Sequence, residues 1–169
     1  MVNKFEKIIG LSLIRLSKLH PRWSTYSSYF FYKKWGLSFI GKPNYISSSV
    51  WFDGADYSLI ELHEGVTISS NVSFLTHDWS LHMIGKSLGE NKINRSRNQK
   101  IKVGPHSFIG RGCIIMPGVT IGRGCVIGAG SVVRGEIPDY SIVIGNPAKI
   151  VADSREYYKK KKHILLGKE

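Results

Sequence analysis

The sequence predicts an all-β chain wound as a parallel β-helix, with an N-terminal helical cap, one extruded loop and a short C-terminal helix. Three observations predict it. Steps of six from Val103 meet Val103, Ile109, Ile115, Ile121, Ile127 and Val133 without an exception. Four places beyond each stands a mostly small residue: Ser107, Cys113, Val119, Cys125, Ser131 and Ile137. Glycine follows four of the six aliphatics, at Gly104, Gly110, Gly122 and Gly128. A helix of period 3.6 cannot keep one face apolar at steps of six, whereas short strands joined by glycine turns can. Three such sides to a coil bring equivalent residues together every eighteen positions, so the two copies of IGRGC, ending at Cys113 and Cys125, lie on different sides.

Residues 1–41 form the cap. MVNKFEKIIGLSLIRLSKLH carries Phe5, Ile8, Ile9, Leu11, Leu13, Ile14, Leu16 and Leu19, interrupted by Arg15 and Lys18, which predicts an amphipathic helix packed on the domain. The run is too short to span a bilayer, and it lacks the long apolar core and small-residue cleavage site of a signal peptide. Peripheral contact with a membrane surface is the alternative use of such a segment. An open coil end exposes unpaired backbone, which a cap covers.

The β-helix takes residues 42–151. Ile46 and Phe52 keep step, the spacing slips between Ser58 and Leu62, and Leu62, Ile68 and Phe74 resume it, with Val66, Val72 and Asp78 at the second position. Between Phe74 and Val103 the register is lost, so a loop of about residues 79–100 leaves the coil. Its text, WSLHMIGKSLGENKINRSRNQK, is polar and basic after Met83, as befits a segment outside the core. Residues 152–169, ADSREYYKKKKHILLGKE, form a basic tail or helix.

Twenty-four Lys and Arg against twelve Asp and Glu leave a formal charge of +12, which favours an anionic partner such as a phosphorylated cofactor, nucleic acid or anionic lipid. Lys and Arg are nonetheless spread over head, loop and tail, and no nucleic-acid motif is present, so nucleic acid is not an expected partner. Two cysteines without CxxC spacing are too few for a disulfide scaffold or a structural zinc site. They read as small core fillers in a reducing compartment, the cytoplasm, with the inner face of the membrane left open. GRGCVIG and GAGSVVRG miss the last glycine of a dinucleotide fingerprint, and there is no P-loop.

His77 stands in NVSFLTHDWS, where the regular coil gives way to the loop. An imidazole at such a cleft-forming boundary can titrate near neutral pH and act as a general base. Asp78, next to it on a strand, points the other way.

The six-step run across Leu62 to Trp79 and Val103 to Pro138, with SVVRGEIPDYSIVIGNPAKIV at Ser131 to Val151, resembles the hexapeptide-repeat acyltransferases over about half the chain. The resemblance implies a left-handed β-helix, a hand that the periodicity does not supply and that runs against the usual rule for parallel strands. It further implies a homotrimer with sites between subunits, acetyl-CoA as acyl donor, and a sugar or glycan hydroxyl as acceptor in cell-surface polysaccharide or glycan assembly. By the same resemblance His77 is the catalytic base, and Asp53 and Asp56 in WFDGADYS are the candidates for the carboxylate that holds it, with Asp53 taken as the catalytic partner. Asp56, Trp79 and His82 would bind the acceptor. Gly110, Gly128, Ala129 and Ser131 would line the donor groove, with Arg134 and Lys149 on the phosphates. Many members of the family carry Thr-Lys where Val133 and Arg134 stand, so the charge is kept and a hydroxyl is lost.

Other readings stay open. An amino-sugar acceptor would make the reaction an N-acetylation. His63, His77 and His82 could hold zinc, as in hydratases of the same fold, although the expected set contains no metal. A basic module without catalysis is the third.

Overall fold

The computed structural model describes residues 4–17, 20–54, 56–90 and 97–167; Lys18 and Leu19 of the apolar N-terminal run, residues 91–96 of the loop and 168–169 of the tail lie outside these. Strands mostly two to four residues long build three faces. The first stacks Ser38–Ile40, Ile60–His63, Ile101–Val103, Thr120–Ile121 and Glu136–Ile137. The second stacks Tyr45–Ile46, Thr67–Ile68, Phe108–Ile109, Val126–Ile127 and Ser141–Gly145, and the third Trp51–Phe52, Ser73–Phe74, Ile114–Ile115 and Val132–Val133. Every neighbouring pair among these strands is parallel.

The pairing follows the six-step spacing. Ile109 lies against Ile127 and Ile115 against Val133, eighteen positions on in each case. All six residues of the run from Val103 are fully buried, as are Leu62, Ile68 and Phe74. Alternation along a strand does the rest: Phe108 faces out and Ile109 in. Each buried Ile side chain contributes about 1.5–3 kcal/mol, so a column of them outweighs the small gain from two-residue strands. In the third face Phe52 stacks on Phe74, with ring centroids 4.9 Å apart.

The two glycines of IGRGC have different duties. Gly112 adopts φ 71°, the left-handed turn that favours glycine. Gly110 sits under the next coil, where an added Cβ would lie 2.6 Å from the Ala129 nitrogen and 2.8 Å from the Ile127 oxygen. Both obstructions are backbone and cannot swing aside. Gly110→Ala is therefore expected to cost about 2–3 kcal/mol, lowering the melting temperature by about 5–10 °C. Gly112→Ala meets no atom within 4 Å and should cost only the left-handed backbone penalty of about 1–2 kcal/mol. Thermal denaturation checks both; an unchanged melting temperature in Gly110→Ala would contradict the tight stacking. Cys113 and Cys125, at the ends of the two copies, are fully buried, and burial pushes both thiols up from their ordinary range.

The coil begins earlier than residue 42: Phe39 already pairs with Leu62 on the first face. Before it, helices α1 (Lys4–Leu16) and α2 (Pro21–Lys34) lie over the first coil. Ser24 Oγ donates to the Ile46 carbonyl, the Ile46 N–H donates to Thr25 Oγ1, and Tyr32 packs edge-on against Phe52 and Tyr57. At the other end Ala148–Asp153 turns back antiparallel on Ser141–Gly145, pairing the last edge of the second face before helix α4 (Ser154–Leu165).

The segment at 79–100 differs from the expected plain loop. His77–Asp78 pairs antiparallel with Arg97–Asn98, and between them stands helix α3 (Ser80–Ser87). The coil closes as though this excursion were absent, since Ser73–Phe74 pairs with Trp51–Phe52 on one side and Ile114–Ile115 on the other. Leu81, Met83 and Ile84 give α3 an apolar component, and all three side chains are exposed.

Candidate active site

The corner that follows the third face stacks Asp53, Leu75, Met116 and Arg134. Their N–H groups donate to the carbonyls of the next rung: Asp53 to Phe74 at 3.1 Å, Leu75 to Ile115 at 2.9 Å and Met116 to Val133 at 3.1 Å. Here the chain departs into the excursion, so His77 stands at the lip of the coil and Asp53 one rung before it.

The two side chains meet. His77 Nδ1 is bonded to Asp53 Oδ2, which also accepts the Thr76 N–H at 3.1 Å and the Thr76 hydroxyl at 2.9 Å. Asp53 has a side chain only 4% exposed, and a carboxylate so far from water requires donors of this kind. With Nδ1–H donated to the carboxylate, the neutral ring presents Nε2 as an acceptor. The imidazole side chain is 34% exposed, open enough for a reacting group to approach. Tyr57 is buried nearby, and burial first, then the Asp53 charge, push its phenol up from its ordinary range. Thr76 and Tyr57 are the members that sequence reasoning missed. The Thr-His dipeptide is the one signal for the first; for the second there was none, because its approach to Asp53 depends on the 3-10 turn Tyr57–Leu59.

The other expected residues divide. Asp56 is spent on that turn, accepting the Ser58 N–H at 2.9 Å and its hydroxyl at 2.7 Å, and so is a turn residue rather than a second partner of His77. Asp78 is exposed and accepts the Ser80 N–H at 2.8 Å; that bond, with the Ser80 side chain next, holds its carboxyl below the usual range. Trp79 and His82 follow directly on the excursion, their rings in edge contact at 5.3 Å.

The donor-groove residues do not gather within one chain. Gly110, Gly128 and Ala129 belong to the corner between the second and third faces. Arg134 lies at the His77 corner, exposed, close enough for its charge to act on Asp78. Lys149 is on the antiparallel return strand, opposite Ile144. Ser131 corrects the expectation: it is fully buried, donating to the Gly128 carbonyl at 2.6 Å and accepting the Gly145 N–H at 3.1 Å, so its hydroxyl braces the coil interior.

The three histidines also part. His63 Nε2 contacts Glu61 Oε1 at 2.8 Å on the outside of the first face, in a cluster with Lys100 and Lys102. The Lys100 ammonium, then His63, hold the Glu61 carboxyl down to about 2. Among the described residues no three His, Cys, Asp or Glu side chains gather in a metal-binding group, so the structure does not assemble the zinc set His63, His77 and His82.

Residues 100–135 match the bacterial transferase hexapeptide (six repeats) family model. The chain is 41% identical over 104 residues to Protein CapG of Staphylococcus aureus, an alignment covering 62% of this chain and 58% of that protein. It is 39% identical over 124 residues to the serine acetyltransferase of Buchnera aphidicola subsp. Acyrthosiphon pisum (strain APS), covering 72% and 42%. The chain thus spans about half the length of these curated relatives. Among solved structures it resembles galactoside acetyltransferase in complex with coenzyme A, with a TM-score of 0.60 at 22% identity over 90% of this chain and 82% of that one. At that identity the likeness is one of fold, and the fold is the left-handed parallel β-helix.

Proposed function

With the chain identified as a hexapeptide-repeat protein of the bacterial transferase kind, we propose that it moves an acetyl group from acetyl-CoA to a sugar hydroxyl in polysaccharide or glycan assembly. The observation that carries this reading is the Asp53–His77 pair, a buried carboxylate holding a part-exposed imidazole at the edge of the coil. Support for the donor comes from galactoside acetyltransferase, a protein of this fold complexed with coenzyme A. Support for acyl transfer comes from the serine acetyltransferase named among the relatives.

His77 Nε2 takes the proton of the acceptor hydroxyl as its oxygen attacks the thioester carbonyl. A backbone N–H in the cleft steadies the charge that develops on the carbonyl oxygen. Collapse of the tetrahedral intermediate breaks the carbon–sulfur bond, and the imidazolium returns its proton to the departing thiolate. The products are an acetyl ester and free CoA. No serine or cysteine nucleophile takes part, in keeping with the burial of both thiols. Asp53 keeps Nδ1 protonated throughout and stabilises the imidazolium, the same division of labour as in a triad. The donor groove is completed by a second copy in a homotrimer, which brings Gly110, Gly128 and Ala129 of one chain towards the His77 corner of its neighbour.

An acceptor-panel assay tests the reading: acetyl-CoA is supplied with neutral and amino sugars, free thiol is followed, and the product is treated with hydroxylamine. Sugar-dependent thiol release with a hydroxylamine-labile product is expected. No release above background with any sugar would overturn the proposal, and a stable amide would move it to N-acetylation. In the same assay Arg134→Ala should raise KM for acetyl-CoA about tenfold and leave kcat within about twofold, the result of losing one phosphate contact.

A further inference from the structure

The N-terminal helices are apolar on two sides. In α1 the buried residues Gly10 and Ile14 face the protein, yet Phe5, Ile9, Leu13 and Leu16 form a second stripe that is exposed, Phe5 at 68% and Leu16 at 71%. In α2 the buried residues are Ser24, Ser28 and Tyr32, while Trp23, Tyr26 and Phe30 lie exposed at helical spacing, Trp23 at 67% and Tyr26 at 72%. α2 buries two serines beside Tyr32 while leaving three aromatic residues exposed, and a surface helix with a second apolar stripe of this kind is not the ordinary amphipathic pattern.

The two outer stripes share one face. The helices run antiparallel, with Lys34 paired to Glu6 at one end and Ser17 to Ser27 at the other. Gly10 lies closely under Phe31 and Trp35 between them. Advancing about 100° per residue from those contacts, both stripes come to the side of the hairpin away from the coil. The same construction puts Lys4 and Arg15 along the far border of the α1 stripe, and Arg22 and Lys33 along the far border of the α2 stripe. All four are exposed. From residue 4 to residue 34 Glu6 is the one acidic residue, and it is paired with Lys34.

We infer that the α1–α2 hairpin is a lipid-binding surface that seats the protein on an anionic bilayer. An apolar strip with aromatic residues, bordered on both long edges by Lys and Arg, matches an interface whose interior takes the side chains and whose headgroups take the charges. The helices lie on such a surface and do not cross it: no helix among the described residues is long and apolar enough to span a membrane. The positive borders distinguish this occupant from a second copy of the chain, which would bring a like-charged border against them. The inference is independent of the acyl-transfer reading.

Co-sedimentation of the full chain with vesicles tests it, using equal parts phosphatidylglycerol and phosphatidylethanolamine against phosphatidylcholine alone. The protein should sediment with the anionic vesicles, release as salt rises, and bind the neutral ones at least tenfold more weakly. Ile9→Ser with Leu13→Ser should weaken anionic binding at least tenfold, and so should Lys4→Glu with Arg22→Glu. All four positions are exposed, so folding is expected to survive, and thermal denaturation of each variant confirms that it does. The inference fails if the parent ignores anionic vesicles, binds both kinds equally, or binds as well after either pair of substitutions. It fails also if the parent ignores vesicles and Ile9→Ser with Leu13→Ser changes the mass in solution, because the strip is then a contact between copies.

Discussion

His77→Ala lowers acceptor-dependent CoA release by about a thousandfold, the range that removal of a general base produces. The side chain is one-third exposed and, among the described residues, its one polar contact with a side chain is to Asp53, so its loss leaves the coil intact. KM for acetyl-CoA should stay within about threefold, because the imidazole acts on the acceptor proton in the transition state and contributes little to holding the donor. Steady-state kinetics alongside thermal denaturation is the measurement. A variant that keeps activity within a few-fold of the parent removes His77 from the chemistry, whatever the pair looks like.

Asp53→Asn comes next, with an expected loss of about 10²- to 10⁴-fold in kcat. The amide is nearly the shape of the carboxylate and can still accept from the Thr76 N–H and hydroxyl, so the fold should tolerate it. What it removes is the negative charge that fixes Nδ1–H and stabilises the imidazolium. Asp53→Ala separates that role from a structural one. It orphans two buried Thr76 donors and should cost about 1–3 kcal/mol of stability in addition to the activity. If Asp53→Asn retains parental kcat, the carboxylate is a brace for the Thr76 turn and not the positioning residue of the base.

The two residues were legible to different degrees. His77 was marked by its place where the six-step spacing stops, a feature of sequence. Asp53 was one of two candidate carboxylates three positions apart, and nothing in the sequence separates them. In the structure, parallel pairing of Trp51–Phe52 with Ser73–Phe74 carries Asp53 to the His77 corner, while Asp56 turns aside to cap its own 3-10 turn. Ser131 was misread because a small polar residue at a repeat position looks the same whether it faces a groove or fills the interior. The excursion was misread because its helix is only Ser80–Ser87, too short for a periodicity to declare itself.

Spacing along the chain sufficed for the coil: an aliphatic every six residues, buried on each of three faces, leaves a short parallel strand per side as the arrangement that pairs the backbone and hides the side chains together. Such a pattern is local, repeated and redundant, so no single misjudged residue disturbs it. The meeting of Asp53 with His77 across twenty-four positions, and the sharing of one outward face by α1 and α2, depend on how separate segments pack. Packing is set by contacts between residues distant in sequence, and neither composition nor period records which of them will touch.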